Sequence, residues 1–269
     1  MLLNFQEGEI LSFHKPYGWT SFQVVGRVRW WLKKKVGIRK IKVGHAGTLD
    51  PLATGVLLVC TGKATKKIEE LQHQTKEYVA TLKLGATTPS FDRETEEDAT
   101  YPTSHITREL AESTLNQFKG DIMQIPPQFS AVKVNGKRAY KFARKGEEIE
   151  LEPKKVRISE IELLAFGEKG VHPSTGSGAQ ELKSSKVQGV EGNPTLEMQI
   201  RVVCSKGTYI RSLARDLGVS LGSGAYLLDL CRTRVGNYRL SECIDAEHFA
   251  EWLESQEWHI DDQENTETK

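Results

Sequence analysis

Apolar residues recurring at every second position constrain this chain more than any other pattern in it. Tyr78, Ala80, Leu82 and Leu84 share one face of a segment that starts near Thr75, with Val79, Thr81 and Lys83 on the other, and the same alternation returns at Leu196, Met198, Ile200 and Val202. Only an extended strand keeps such residues on one side. Glu9 to His14 reads as a further short strand, and Gly55 to Cys60, apolar throughout, reads as a buried one. Helical periodicity is more scattered. Phe22, Val25, Val28 and Leu32 form a stripe behind a Thr20 or Ser21 cap, with Arg27, Lys33, Lys34 and Lys35 off the stripe and facing outward. Further helices are predicted over Thr107–Phe118, ended by Gly120, and over Thr208–Gly218, with Gly218 as its stop; a last one carries Phe249, Trp252 and Leu253 behind an Asp245 cap. Strands outnumber regular β-α-β units, so the class is α+β with a mostly antiparallel sheet.

Charge is distributed unevenly. Residues 10 to 49 carry nine Lys or Arg and no acid. Asp50 is then the first carboxylate after Glu9, in the run Gly44-His45-Ala46-Gly47-Thr48-Leu49-Asp50-Pro51-Leu52-Ala53-Thr54-Gly55. An Asp before Pro caps a turn in many loops. A single carboxylate closing so basic a stretch fits equally a nucleophile or base offered to a polyanion. The net charge of +1 conceals the asymmetry: residues 241 to 269 hold ten acids against one base, leaving 36 bases against 26 acids, or +10, on residues 1 to 240. That balance fits a nucleic-acid binder with an acidic tail.

Other classes are less well supported. The 269 residues, 38% of them hydrophobic, suffice for one large domain with a core. No apolar run is long enough to cross a bilayer, and residues 1 to 7 lack a charged leader with an apolar segment, so the expected location is the cytoplasm. Cys60, Cys204, Cys231 and Cys243 have no paired spacing and no His at ligand spacing, so buried thiols are expected, with no disulfide framework and no metal. Asn135-Gly136 marks a hairpin, after which Lys137, Arg138, Lys141, Arg144 and Lys145 interleave with Tyr140 and Phe142. That mixture suits phosphates and unstacked bases, although the aromatics serve equally well as core anchors. Residues 168 to 194, rich in Gly, Ser and polar residues, read as a flexible insertion, and the polar tail from Asp261 as disordered.

Six segments in order then carry a resemblance: Lys15-Pro16-x-Gly18-x-Thr20-Ser21, Gly44 to Gly55, Lys76-Glu77-Tyr78, Gln124-Ile125-Pro126 to Gly146, Cys204 to Arg211, and Gly224-Ala225-Tyr226-Leu227-Leu228-Asp229-Leu230-Cys231-Arg232. Together they resemble the bacterial tRNA pseudouridine synthase B (TruB) family over residues 10 to about 240. The resemblance implies the pseudouridine synthase fold and isomerisation of uridine 55 in the TΨC loop of tRNA, by cleavage of the base–ribose bond, rotation of the base and rejoining through carbon. Such chemistry needs one carboxylate and no cofactor, metal or redox group. The base must first be flipped from its stack, at a cost of a few kcal/mol.

What the resemblance implies for individual residues is as follows. Asp50 is the catalytic carboxylate, and Tyr78 the ring on which the base stacks. Arg211 is the cation that keeps the carboxylate ionised, Leu230 lines the base pocket, His45 fills the space the base leaves, and Lys15 supports the loop. From the residues alone, Tyr78 reads as a strand aromatic, Leu230 as core and His45 as a turn residue, while Arg211 could equally contact phosphate or solvent. Asp92 falls where the family has an acid in a polar loop and is assigned no chemistry. The family commonly has two arginines after the Leu230 position, and here Cys231 replaces the first.

The expected organisation is a catalytic domain over residues 1–240 and a short acidic C-terminal helix and tail over 241–269. A complete RNA-binding domain of the PUA type is not expected. Substrate grip then falls to Arg27, Lys33, Lys34, Lys133, Lys137, Arg138, Lys141 and Arg144. The expected partner is the TΨC stem-loop of tRNA, met by a monomer without a guide RNA. Two alternatives stand beside the synthase: a non-catalytic tRNA-binding or RNA-folding module, and an aspartate-nucleophile hydrolase acting on small molecules, which the +10 body does not favour.

Overall fold

A computed structural model describes residues 2–38, 40–130, 132–134, 136–147, 149–169 and 195–259. Asn135, nearly all of the expected insertion and the tail from Asp261 lie outside the described residues. The chain runs β1 (Ile10–Lys15), α1 (Ser21–Trp31), β2 (Val43–His45), β3 (Ala53–Thr61), α2 (Ile68–His73), β4 (Lys76–Leu84), β5 (Ala86–Thr87), β6 (Ala99–Thr100), α3 (Arg108–Gln117) and β7 (Gly120–Gln124). It continues through β8 (Lys133–Val134), β9 (Lys137–Arg138), α4 (Ala139–Ala143), β10 (Lys154–Lys169), β11 (Thr195–Cys204), α5 (Ile210–Ser220), β12 (Ala225–Val235), β13 (Tyr238–Arg239), β14 (Ile244–Asp245) and α6 (Phe249–Glu254). This is the expected α+β class. The main sheet has the order β14-β1-β3-β12-β4-β11-β10-β7, with β2 beside β3 and β13 beside β12. Its pairs are antiparallel except β1 with β14 and β3 with β12.

Alternation decides which face of each strand is covered. Along β4, Lys76, Tyr78, Ala80, Leu82 and Leu84 are buried and the residues between them are not. The apolar members of that row join Met198, Ile200 and Val202 of β11, Leu213 and Leu217 of α5, and Ala111 and Leu115 of α3 in the largest core cluster. A large apolar side chain, when fully buried, contributes on the order of 1.5–3 kcal/mol. A second cluster packs α1 and α6 on β1: Val24, Val25, Val28 and Leu32 join Phe13, Phe249 and Leu253. The boundary expected at residue 240 therefore falls inside a continuous packed unit, because β14 pairs with β1 and the Phe249 ring lies edge-on to Phe13, centroids 5.2 Å apart.

Some local expectations need correcting. Phe22 is not on the buried stripe of α1; it is 74% exposed, and Val24 takes the inward place. Gly218 does not stop α5, which runs on to Ser220. It is there for closeness, since a Cβ would come within 2.4 Å of the Ala225 backbone nitrogen. Asp245 sits in β14 and accepts from the Glu247 amide, while the N-cap of α6 is His248. Thr20 does cap α1, accepting from the Gln23 amide in a capping box.

Candidate active site

The parallel pair β3–β12 sets the site. Its register places Leu230 opposite Ala53 and Arg232 opposite Gly55, and on the other side of β12 Arg232 stands opposite Tyr78. Gly55 is needed there: its φ is +105°, and a Cβ would lie 2.2 Å from the Arg232 carbonyl oxygen. Asp50 precedes β3 in a loop tied down from several directions. Ser21 Oγ, buried at the start of α1, donates to the Leu49 carbonyl and accepts from the Leu49 amide, at 3.2 and 2.9 Å. Lys15, fully buried at the end of β1, donates to the carbonyls of Pro16, Trp19 and Pro51. Burial lowers its ammonium to about 8, with Asp50 pulling the other way. Through Pro51, Lys15 ties β1 to the residue that follows Asp50.

A cavity of about 580 Å³ opens at this point, and Asp50, Tyr78, Arg211, Leu230 and Arg232 all line it. Arg211 Nε lies 3.0 Å from Asp50 Oδ2, and its Nη1 lies 3.5 Å from Asp92 Oδ2. The Arg211 and Asp92 side chains are 5% and 8% exposed, whereas the Asp50 side chain is 41% exposed. One guanidinium therefore joins a carboxylate facing the cavity to one sealed behind it. Arg211 also donates to the carbonyls of Ser90 and Phe129, so its plane is fixed. The start of α5 is held in turn by Gln124, whose side chain bonds both the amide and the carbonyl of Tyr209, and by Ser212, which donates to the Ile125 carbonyl.

Tyr78 is 9% exposed, and burial raises its phenol above the usual range, with Arg232 opposing. Arg232, 2% exposed, donates to the carbonyls of Val56 and Gly47 and so braces the Asp50 loop from below. Lys76, also in the lining, is lowered to about 8 by burial first and then by Arg232, and donates to the carbonyls of Gln72 and Gln74. Among the described residues no group of three or more His, Cys, Asp or Glu is placed to hold a metal ion.

His45 stands apart from the cavity lining. Its ring meets the exposed Phe22 edge-on, centroids 5.4 Å apart, and burial followed by the Arg232 charge lowers its imidazole below the usual range. Arg27 is already engaged: it donates to the Glu247 carbonyl and lies over the Trp19 ring. Lys33, Lys34, Lys137, Arg138, Lys141 and Arg144 are exposed, and Lys133 lies on β8, paired with β9. Arg144 reaches Glu94, in the same loop as Asp92, at 3.6 Å, which hangs the basic 137–145 segment at the edge of the site. Arg232 and Asp92 are the residues that the sequence names without giving either a role at the site. Nothing in their local spacing marks either as a partner of the Asp50 loop or of Arg211.

Comparison with known proteins gives the family. Residues 33–210 match the family model described as TruB family pseudouridylate synthase, N-terminal domain. The chain is 58% identical over 263 residues to the tRNA pseudouridine synthase B of Bacteroides thetaiotaomicron, covering 98% of this chain and 100% of that protein. It is 42% identical over 236 residues to the protein of that name from Chloroherpeton thalassium, covering 88% and 86%. Among solved structures it is similar to a chain of a Cbf5–Nop10–Gar1 complex, with a TM-score of 0.60 and 27% identity over 93% of this chain and 57% of that one. A family match across most of the length, with near-full-length relatives of 42% identity and more, gives one assignment: the chain belongs to the TruB family of pseudouridylate synthases.

Proposed function

We propose that this chain isomerises uridine 55 in the TΨC loop of tRNA to pseudouridine, with Asp50 as the nucleophile acting on a flipped-out base. The observation that carries the reading is the 3.0 Å pair of Arg211 Nε and Asp50 Oδ2 at a cavity lined by Tyr78 and Leu230. The names of the relatives supply the substrate class. The catalytic elements lie within residues 1–240, with β14 and α6 packed on β1 as part of the same unit, and the working form is a cytoplasmic monomer; among the described residues no helix is long and apolar enough to cross a membrane.

In this reading the uracil enters the cavity and rests on the Tyr78 ring, which returns part of the unstacking cost. Arg211 holds the Asp50 carboxylate at the cavity through the Nε–Oδ2 ion pair. Asp50 forms a covalent bond while the C1′–N1 glycosidic bond is broken. The base turns, C5 bonds to C1′, the bond to Asp50 breaks with its electron pair returning to the carboxylate, the hydrogen on C5 leaves as a proton and N1 takes one up, so the product is an isomer and nothing is consumed. Attack at ribose C1′ and attack at base C6 both satisfy that balance. The test is mass or primer-extension mapping of an unmodified tRNA transcript with purified protein. Conversion at position 55 is expected for the wild type and none for Asp50→Asn, which still binds the transcript. A variant that converts uridine as the wild type does refutes the role of Asp50, and binding without conversion by the wild type itself favours an RNA-binding module.

A further inference from the structure

The outward face of α1 carries more than positive charge. Phe22, Gly26, Arg29, Trp30, Lys33 and Lys34 are all exposed, and their spacing places them along one side of the helix and the turn that follows it. Phe22 is 74% and Trp30 50% exposed. Two large apolar rings left in water on one face, with no acid between residues 10 and 49, make up a surface that no core requires. Gly26, between the rings, has nothing within 4 Å of where a Cβ would stand, so the face is bare at its middle. Lys34 Nζ lies over one face of the Trp30 ring, 4.5 Å from its centroid, so a charge is carried on the ring and the face away from it is the one a base would meet. The track starts beside the cavity. Ser21 holds Leu49, and Phe22 lies edge-on to His45, a few residues before Asp50.

We infer that this face of α1 is a docking track for one strand of the RNA that supplies the flipped uridine, with Phe22 and Trp30 as stacking platforms for its bases and Lys33 and Lys34 as phosphate contacts. Charge complementarity selects the occupant, because interleaved bases and aromatic rings with basic neighbours fit a polyanion that also offers π-faces. Eight residues separate the rings, about 12 Å at 1.5 Å per residue, on the order of three to four steps of a stacked strand at ~3.4 Å each. The inference rests on the proposed tRNA substrate and adds to it a binding surface outside the cavity.

The experiment measures the Kd of a fluorescently labelled, unmodified tRNA transcript by anisotropy across a salt series, with pseudouridine formation followed in parallel. Trp30→Ala is expected to weaken binding about tenfold or more, as removal of one base–ring stack does. Lys33→Gln/Lys34→Gln is expected to lower the slope of log Kd against log salt by about 1.4, at ~0.7 for each phosphate of an unpaired strand left without its lysine. The thermal midpoint of Lys33→Gln/Lys34→Gln should not move, since both side chains are exposed, and circular dichroism should show Trp30→Ala folded. Wild-type Kd and salt slope in both variants overturn the track. Weakened binding by the variants with no pseudouridine formed by any protein upholds the track and overturns the proposed reaction, so the two failures are distinguishable.

Discussion

Arg211→Met separates the two jobs of one guanidinium. Its removal leaves Asp92, 8% exposed, as a buried charge without a cation, and removes a donor from the carbonyls of Ser90 and Phe129. Breaking such a buried pair costs about 3–5 kcal/mol. The other partner, Asp50, is 41% exposed, so solvent screens its loss and it adds little to the stability change. Urea unfolding at pH 7.5 should show the full deficit. In Arg211→Met/Asp92→Asn the neutral amide keeps an oxygen to accept from the Glu94 amide, as Asp92 Oδ1 does at 2.9 Å. The double variant should regain at least half of the lost stability yet remain inactive, since Asp50 still lacks its cation. A double variant as unstable as the single one refutes the argument that the cost resides in a stranded Asp92.

Three further outcomes follow from the same geometry. Gly55→Ala combines a left-handed φ, about 1–2 kcal/mol, with a backbone collision worth roughly 1–3 kcal/mol, whereas Gly26→Ala on the open helix face should gain about 0.5–1 kcal/mol; calorimetric midpoints moving in the same direction contradict this. Ser21→Ala strands the Leu49 amide at a cost of about 1–3 kcal/mol and loosens the Asp50 loop, so kcat should fall more than tRNA affinity does; unchanged kcat counts against the loop-anchoring role. Lys15 has a folded value of about 8 against 10.5 unfolded, so its penalty is complete below pH 8 and is relieved as pH rises toward 10.5. Stability measured by urea between pH 8 and 10 should therefore rise less in Lys15→Met than in the wild type, and an equal rise removes Lys15 from the account.

Local pattern makes the strands, the Thr20 cap and the Asp50 loop legible in the amino-acid sequence. Alternation reports which face of a strand is covered, and capping reports where a helix begins, because both arise within a few residues. Neither reports which strand lies next to which. The place of Arg232 under Gly47 and Val56 depends on a parallel pairing between β3 and β12 and on bulges in β12 after Leu227 and Arg232 that reset its register. Asp92 reaches Arg211 from a loop more than a hundred residues earlier, where Phe91 adopts a left-handed φ of 61°. Gly218 reads as a helix stop because the chemistry of a stop and of a close backbone approach both select glycine. Hydrophobicity alone places Phe22 inward, and it does not say whether a ring is meant for the core or for a ligand.

The position of β12 in the sheet order bears on synthesis of the chain. Among the described strands it alone joins β14-β1-β3 to β4-β11-β10-β7, and it starts at Ala225. A chain made only as far as Gly224 therefore holds two half-sheets, each with a bare edge, β3 on one and β4 on the other. Such edges invite pairing with other chains. The enzyme becomes safe from aggregation and gains its cleft in the same late event, when one strand slides between the halves.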